Sequence, residues 1–170
     1  MPGDAPLRHV TVEGVRLRFA AAHMATLGNE LEPLHGHNYE VHCRVEGDLT
    51  DDRWVIDFGV LKRLTREACE HLDHRFLLQE RSTRVQVAQE GTEWVVAHGE
   101  RRYRFPASDV CALPIENTTA ELLAEWIWGE VAVGLALGAH SNVVRLSVDV
   151  EEMPGQSGGY AAALPRPARA

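Results

Sequence analysis

The sequence has no apolar run approaching the roughly 20 residues that cross a bilayer, and Met1-Pro2-Gly3-Asp4 lacks the charged-then-apolar start of a secretory signal. A cytoplasmic protein with no membrane partner is therefore expected. Cysteine is scarce: Cys43, Cys69 and Cys111 are odd in number and show no CxxC spacing. This excludes a disulfide framework and fits reduced thiols. Positive charge is also in deficit, with 17 Lys and Arg against 25 Asp and Glu, a net charge of −8. Nucleic acid is excluded as a partner, because phosphate contact needs a basic face. A small phosphorylated substrate is not excluded, since a local basic patch is enough for that. Repeats, low-complexity tracts and linkers are absent. At 170 residues and 45% hydrophobic, the chain can build one domain with a sizeable core.

Apolar periodicity sets the elements. Val10, Val12, Val15, Leu17 and Phe19 alternate as a strand, with a slip at Gly14 that indicates a bend or bulge. Tyr39–Val45 alternates cleanly and ends at Gly47-Asp48, a second strand antiparallel to the first. Asp57 is the N-cap of a helix that carries Phe58, Leu61, Leu64, Thr65, Ala68 and Leu72 and ends near Leu72-Asp73-His74. Over 83–105, three short strands are separated by Glu90-Gly91 and His98-Gly99, a β meander. A second helix starts near Asn117-Thr118-Thr119, with Glu121 placed for a capping box, and stops at Gly138. Asn142–Val150 is the last expected strand. Residues 161–170 read as a flexible tail after a single domain spanning 1–160. The fold class is α+β, an antiparallel sheet with two helices on one face.

The densest chemistry is Leu34-His35-Gly36-His37-Asn38-Tyr39 with His23 upstream. Positions i and i+2 of a strand share a face, so His35 and His37 project together. His23 ends Phe19-Ala20-Ala21-Ala22-His23. If the two strands pair, three imidazoles converge, the ligand set of a catalytic zinc with an open fourth position. Imidazole also suits copper, iron and nickel. His42 points to the other face and is left out of the set.

With Asp57-Phe58, Leu72-Asp73-His74, Thr119-Ala120-Glu121 and Glu151-Glu152…Tyr160 following in order, the chain resembles the 6-pyruvoyl tetrahydropterin synthase and 6-carboxytetrahydropterin synthase family over about residues 10 to 160. The resemblance implies the tunnelling fold, in which three subunits close a barrel, two trimers stack into a hexamer, and sites lie between subunits. It implies His23, His35 and His37 as zinc ligands and Asp73 with His74 as a proton-transfer pair. It implies Glu152 as the carboxylate that anchors the pterin through two parallel N–H bonds. Thr119 and Glu121 match the family's Thr-x-Glu motif, with Glu116-Asn117 the alternative frame.

The chain departs from most members where they carry a Cys four residues before the first His of the pair. Here that position is Leu31. Glu32, beside Pro33, resembles the branch with Glu in place of Cys, which cleaves the side chain of 7,8-dihydroneopterin triphosphate to 6-hydroxymethyl-7,8-dihydropterin. Glu30 competes for the role of base. Three functions stay open: this lyase reaction, synthesis of 6-carboxytetrahydropterin or 6-pyruvoyl tetrahydropterin, and a zinc-bearing pterin-binding protein without catalysis. The inserted meander is expected to extend the sheet edge or cover the pocket mouth.

Overall fold

One long strand organises the main sheet. The computed structural model describes residues 7–14 and 16–165. In it β5 (His35–Gly47) pairs along one edge with both β1 (Arg8–Val12) and β2 (Arg18–His23), each antiparallel. The expected single strand over Val10–Phe19 is thus two strands sharing one partner. The slip at Gly14 is real: its φ is +108°, a conformation that favours glycine. Val15 lies outside the described residues. The register sets His23 opposite His35 and Ala21 opposite His37.

The other edge of β5 takes β11 (Val143–Met153), which in turn pairs with β12 (Gln156–Ala163). Strand β12 corrects the expected tail, because Ala161–Ala163 belong to it and the Leu164 N–H donates to the Val144 carbonyl at 2.9 Å. Residues 166–170 lie outside the described residues. The sheet is also not purely antiparallel. Strand β6 (Arg75–Gln79) runs parallel to both β2 and β10 (Val110–Leu113), giving the order β10-β6-β2-β5-β11-β12.

Helices α1 (Phe58–Leu72) and α2 (Ala120–Leu137) cover one face. Asp57 caps α1 as expected, its carboxylate accepting from the Gly59 and Val60 N–H groups at 2.5 and 3.3 Å. Tyr39, Val41, Cys43 and Val45 of β5 are fully buried against Leu61 and Leu72 of α1 and Leu123, Ile127 and Val131 of α2. The same side-chain series continues toward the strand's start as His37 and His35. On the reverse face, Arg18–Glu40 and Arg44–Glu46 form ion pairs at 2.6 and 2.9 Å. No described helix is long and apolar enough to cross a membrane.

The expected meander is present as β7 (Gln86–Glu90), β8 (Glu93–His98) and β9 (Arg101–Pro106), a separate three-stranded sheet. It does not extend the main sheet. Instead it packs on β6. Leu77 enters the helix-side core, while Phe76 and Leu78 point the other way into a second core with Met24, Leu31, Val85 and Val96. Phe76 stacks on Phe105 with ring centroids 4.1 Å apart. Strand β6 is therefore covered on both faces, which accounts for its unbroken Phe-Leu-Leu run. A short hairpin, β3 (Thr26–Leu27) and β4 (Glu30–Leu31), links β2 to β5 and dips Leu31 into this second core.

Candidate active site

The pairing of β2 with β5 brings His23, His35 and His37 together, with one ligand nitrogen from each all within 4.8 Å of one another. His23 Nε2 and His35 Nε2 lie 3.2 Å apart. A tetrahedral metal ion bound at about 2.0–2.1 Å holds nitrogen ligands roughly 3.3 Å apart. The outer nitrogens also fit. His23 Nδ1 lies 3.0 Å from the Thr118 carbonyl and 3.2 Å from its hydroxyl, and His35 Nδ1 lies 2.8 Å from the Pro33 carbonyl. A carbonyl only accepts, so both Nδ1 atoms carry protons in this arrangement and both Nε2 atoms present lone pairs. Two lone pairs facing at 3.2 Å repel unless a cation sits between them. Burial lowers the His23 pKa to about 4; the Thr118 carbonyl opposes that shift and the neighbouring His35 and His37 add to it. A neutral, 2% exposed imidazole of this kind is a metal ligand's usual state.

Glu152 comes to the same place from β11. Strand register shifts between Glu151 and Met153, so Glu152 sits at a bulge, which re-aims a side chain. Burial raises its pKa; His37 and His35 pull it down, and the nearby carboxylates Glu32 and Glu121 push it up. Those influences place Glu32, Glu121, Glu152 and the histidines in one electrostatic neighbourhood. Tyr39 forms the floor, stacked on Phe19 at 4.5 Å and edge-on to His37 at 5.4 Å.

The first turn of α2 closes the site, in a different way from the expected capping box. The N-cap is Thr119, and its side chain makes no capping bond. Thr118, the capping residue a box with Glu121 requires, instead turns its hydroxyl to His23. The turn lies close over β12 because position 158 is glycine. A Cβ there would fall 2.8 Å from Ala120 Cβ and 2.8 Å from the Glu121 nitrogen.

Asp73 and His74 form the expected pair, with Asp73 Oδ2 2.8 Å from His74 Nδ1. The other Asp73 oxygen accepts from the Ala20 N–H at 2.7 Å. Burial raises the Asp73 pKa, but the N–H of Ala20 and the contacts to His74 outweigh it and hold the group below its ordinary value. His74 has φ +56° and a side chain 82% exposed. Among the described residues no hydrogen bond or ion pair joins this pair to the histidine cluster. One chain therefore gathers the three histidines, with Glu32, Glu121 and Glu152 in their electrostatic neighbourhood.

Leu31 is 6% exposed and faces the second core, not the histidines. None of the cysteines replaces it. All three are free and buried, and burial pushes the Cys43, Cys69 and Cys111 thiols up to about 12, 12 and 11. Sequence reading missed Thr118, whose carbonyl orients a histidine, and Gly158; the Gly158-Gly159 pair was the one visible hint of a close approach.

The model of the 6-pyruvoyl tetrahydropterin synthase family matches residues 14–162. A relative from Methanocaldococcus jannaschii, named for 6-carboxy-5,6,7,8-tetrahydropterin synthase activity, is 32% identical over 145 residues, 85% of this chain and 89% of its own. A dihydroneopterin monophosphate aldolase from Pyrococcus furiosus is 39% identical over 62 residues, 36% of this chain and 53% of its own. The crystal structure of 6-pyruvoyl tetrahydropterin synthase from Plasmodium vivax superposes with a TM-score of 0.88 at 28% identity, covering 94% of this chain and 99% of that one. Variants of the P. vivax protein replace a catalytic residue that is a glutamate. The chain belongs to the 6-pyruvoyl tetrahydropterin synthase family, whose members are pterin enzymes of the lyase type.

Proposed function

We propose that this protein is a zinc-dependent lyase that cleaves the side chain of 7,8-dihydroneopterin triphosphate to 6-hydroxymethyl-7,8-dihydropterin. The observation that carries the reading is the exchange at the base. Leu31 is turned into a core, every thiol is buried, and Glu32 shares the electrostatic neighbourhood of Glu152 and the histidines. The likeness to a P. vivax protein with a catalytic glutamate supports it.

His23, His35 and His37 hold the zinc, which when bound supplies Lewis-acid polarisation of side-chain oxygens. Carbon count fixes the bond that breaks. A three-carbon side chain becomes a one-carbon side chain, so the first and second side-chain carbons separate. The proton on the second carbon's hydroxyl leaves, that carbon departs as the aldehyde of a two-carbon fragment bearing the triphosphate, and the first carbon gains a proton. Glu32 takes the hydroxyl proton. Glu152 accepts two N–H bonds from the pterin ring, with Thr119 and Glu121 beside it. The burial that raises the pKa of Glu152 also favours a ligand whose N–H groups satisfy its carboxylate. His74, oriented by Asp73, delivers the proton; among the described residues no hydrogen bond or ion pair ties that pair to the histidines of its own chain, and we place it in a neighbouring subunit's site. Unpaired thiols suit a cytoplasmic setting.

The 6-carboxytetrahydropterin alternative is favoured by the M. jannaschii relative's name but lacks an available thiol. Mass analysis after incubating the zinc-loaded protein with 7,8-dihydroneopterin triphosphate separates the readings. The hydroxymethyl product is expected. A 6-pyruvoyl or 6-carboxy product contradicts the proposal, and pterin binding without turnover of any family substrate favours the non-catalytic reading.

A shared site needs an assembly. The outer edge of β12 is unpaired among the described residues, and an open edge asks for another strand. A trimer or hexamer is the expected mass by light scattering at micromolar concentration. A monomer there contradicts the shared site.

A further inference from the structure

Apolar packing is not the only attachment between the meander and the main sheet. Arg101, the first residue of β9, reaches the hairpin that carries the proposed base. Its Nη1 donates to the Leu31 carbonyl at 2.5 Å and its Nη2 to the Glu32 carbonyl at 2.8 Å. Nε and Nη2 also donate to the Tyr103 hydroxyl at 2.9 and 2.6 Å. A planar guanidinium that spans two successive carbonyls fixes the peptide between them, which a single ammonium cannot do. Four hydrogen bonds thus tie the Arg101 guanidinium to backbone and phenol.

The same hairpin is held elsewhere as well. Arg84 donates to the Gly28 carbonyl and to Asn29 Oδ1 at its tip. From the α2 side, the Asn117 amide accepts from the Thr26 N–H at 2.8 Å and donates to the Thr26 carbonyl at 2.9 Å. The Glu32 N–H donates to the Ala25 carbonyl at 2.9 Å. Both backbone groups of Glu32 are therefore engaged, while its carboxylate has no hydrogen bond or ion pair among the described residues. A fixed backbone with a free carboxylate is what a general base on a long side chain requires. Glu has more rotatable bonds than Cys, so its reach is reproducible only when its Cα is held.

We propose that Arg101 is the positioning residue for Glu32, and that the 86–106 meander serves as the brace that supplies it. This rests on the reading of Glu32 as the base. It gives the meander, expected to extend the sheet edge or cover the pocket mouth, a role as a support for the chemistry.

The test is a double-mutant cycle of Arg101→Ala and Glu32→Gln, with Arg101→Lys and Tyr103→Phe alongside. Single-turnover loss of 7,8-dihydroneopterin triphosphate gives the rate. Zinc content, pterin affinity by fluorescence and hydrogen exchange of the segment around residues 25–34 are read on the same samples. Arg101→Ala is expected to lower kcat about a hundredfold, the scale of an ångström misplacement of a catalytic group, with zinc and pterin affinity kept. Arg101→Lys should not rescue it. In the Glu32→Gln background, Arg101→Ala should cost nothing further, because both changes remove one function. Exchange across 25–34 should speed up in Arg101→Ala and, to a smaller degree, in Tyr103→Phe, which keeps the ring and the core. Wild-type kcat in Arg101→Ala, an equal loss in both backgrounds, or unchanged exchange overturns the proposal. If Glu32→Gln itself turns over like wild type, the assignment of the base has failed instead, and exchange alone then decides whether Arg101 braces the hairpin.

Discussion

Glu32→Gln is expected to keep zinc and pterin binding and to lose about a hundred- to ten-thousand-fold of turnover. The loss corresponds to roughly 3–5 kcal/mol of barrier. The amide has the shape of the carboxylate but cannot take the proton. Since the Glu32 carboxylate makes no hydrogen bond or ion pair among the described residues, the substitution should leave the fold as it is. Glu30→Gln should be nearly silent. Glu30 flanks Leu31 on the other side and its side chain is exposed. Glu152→Gln should instead weaken pterin binding, because an amide cannot accept two parallel N–H bonds. Single-turnover loss of 7,8-dihydroneopterin triphosphate, with pterin affinity measured by fluorescence, separates the three. Equal rates for wild type and Glu32→Gln remove Glu32 from the base role, and a large loss in Glu30→Gln moves the role there.

His35→Ala should lose nearly all bound zinc, starting from about one ion per chain. Substitution of an outer-sphere partner alone costs about ten- to hundredfold in affinity, and removal of a ligand costs more. Zinc should raise the melting temperature of wild type and leave that of His35→Ala unmoved, because only a ligand that binds the folded state shifts unfolding. The metal-free forms should melt alike: His35 opens to solvent at the start of β5, and its loss also removes the repulsion between two Nε2 atoms 3.2 Å apart. His42→Ala is the matching control, since His42 faces the reverse side of the sheet near Glu13, at 3.5 Å. Metal analysis after dialysis reads the outcome. Full zinc retention in His35→Ala excludes the three-histidine assignment.

The histidine cluster was legible because a period of two needs only local sequence and one strand pairing. The two helices were legible for a similar reason, their spacing and stops being local. Strand β6 was not. Phe76-Leu77-Leu78 is buried on both faces, so it shows no alternation. Strand β12 was hidden differently: Gln156-Ser157-Gly158-Gly159 carries no apolar signal, and its pairing is dictated by β11. Thr118 acts through its carbonyl as well as its hydroxyl, and a carbonyl leaves no mark on residue type. Arg101 meets its partners 69 and 70 residues away, across an insertion whose docking surface only the folded chain defines. The Asp73–His74 pair was readable as a pair, yet its anchoring to the Ala20 N–H, 53 residues away, was not.

Gly158 has a consequence that reaches past packing. It lets the start of α2 lie against β12, where Thr118, which contacts His23, and Glu121, which influences Glu152, fall within four consecutive residues. On the proposed reading that short turn joins the metal side of the pocket to its ring side, so the two are held as one unit. A larger residue at 158 would press on Ala120 and Glu121 and displace both ends of that turn together, so zinc and pterin affinity are expected to fall in the same variant.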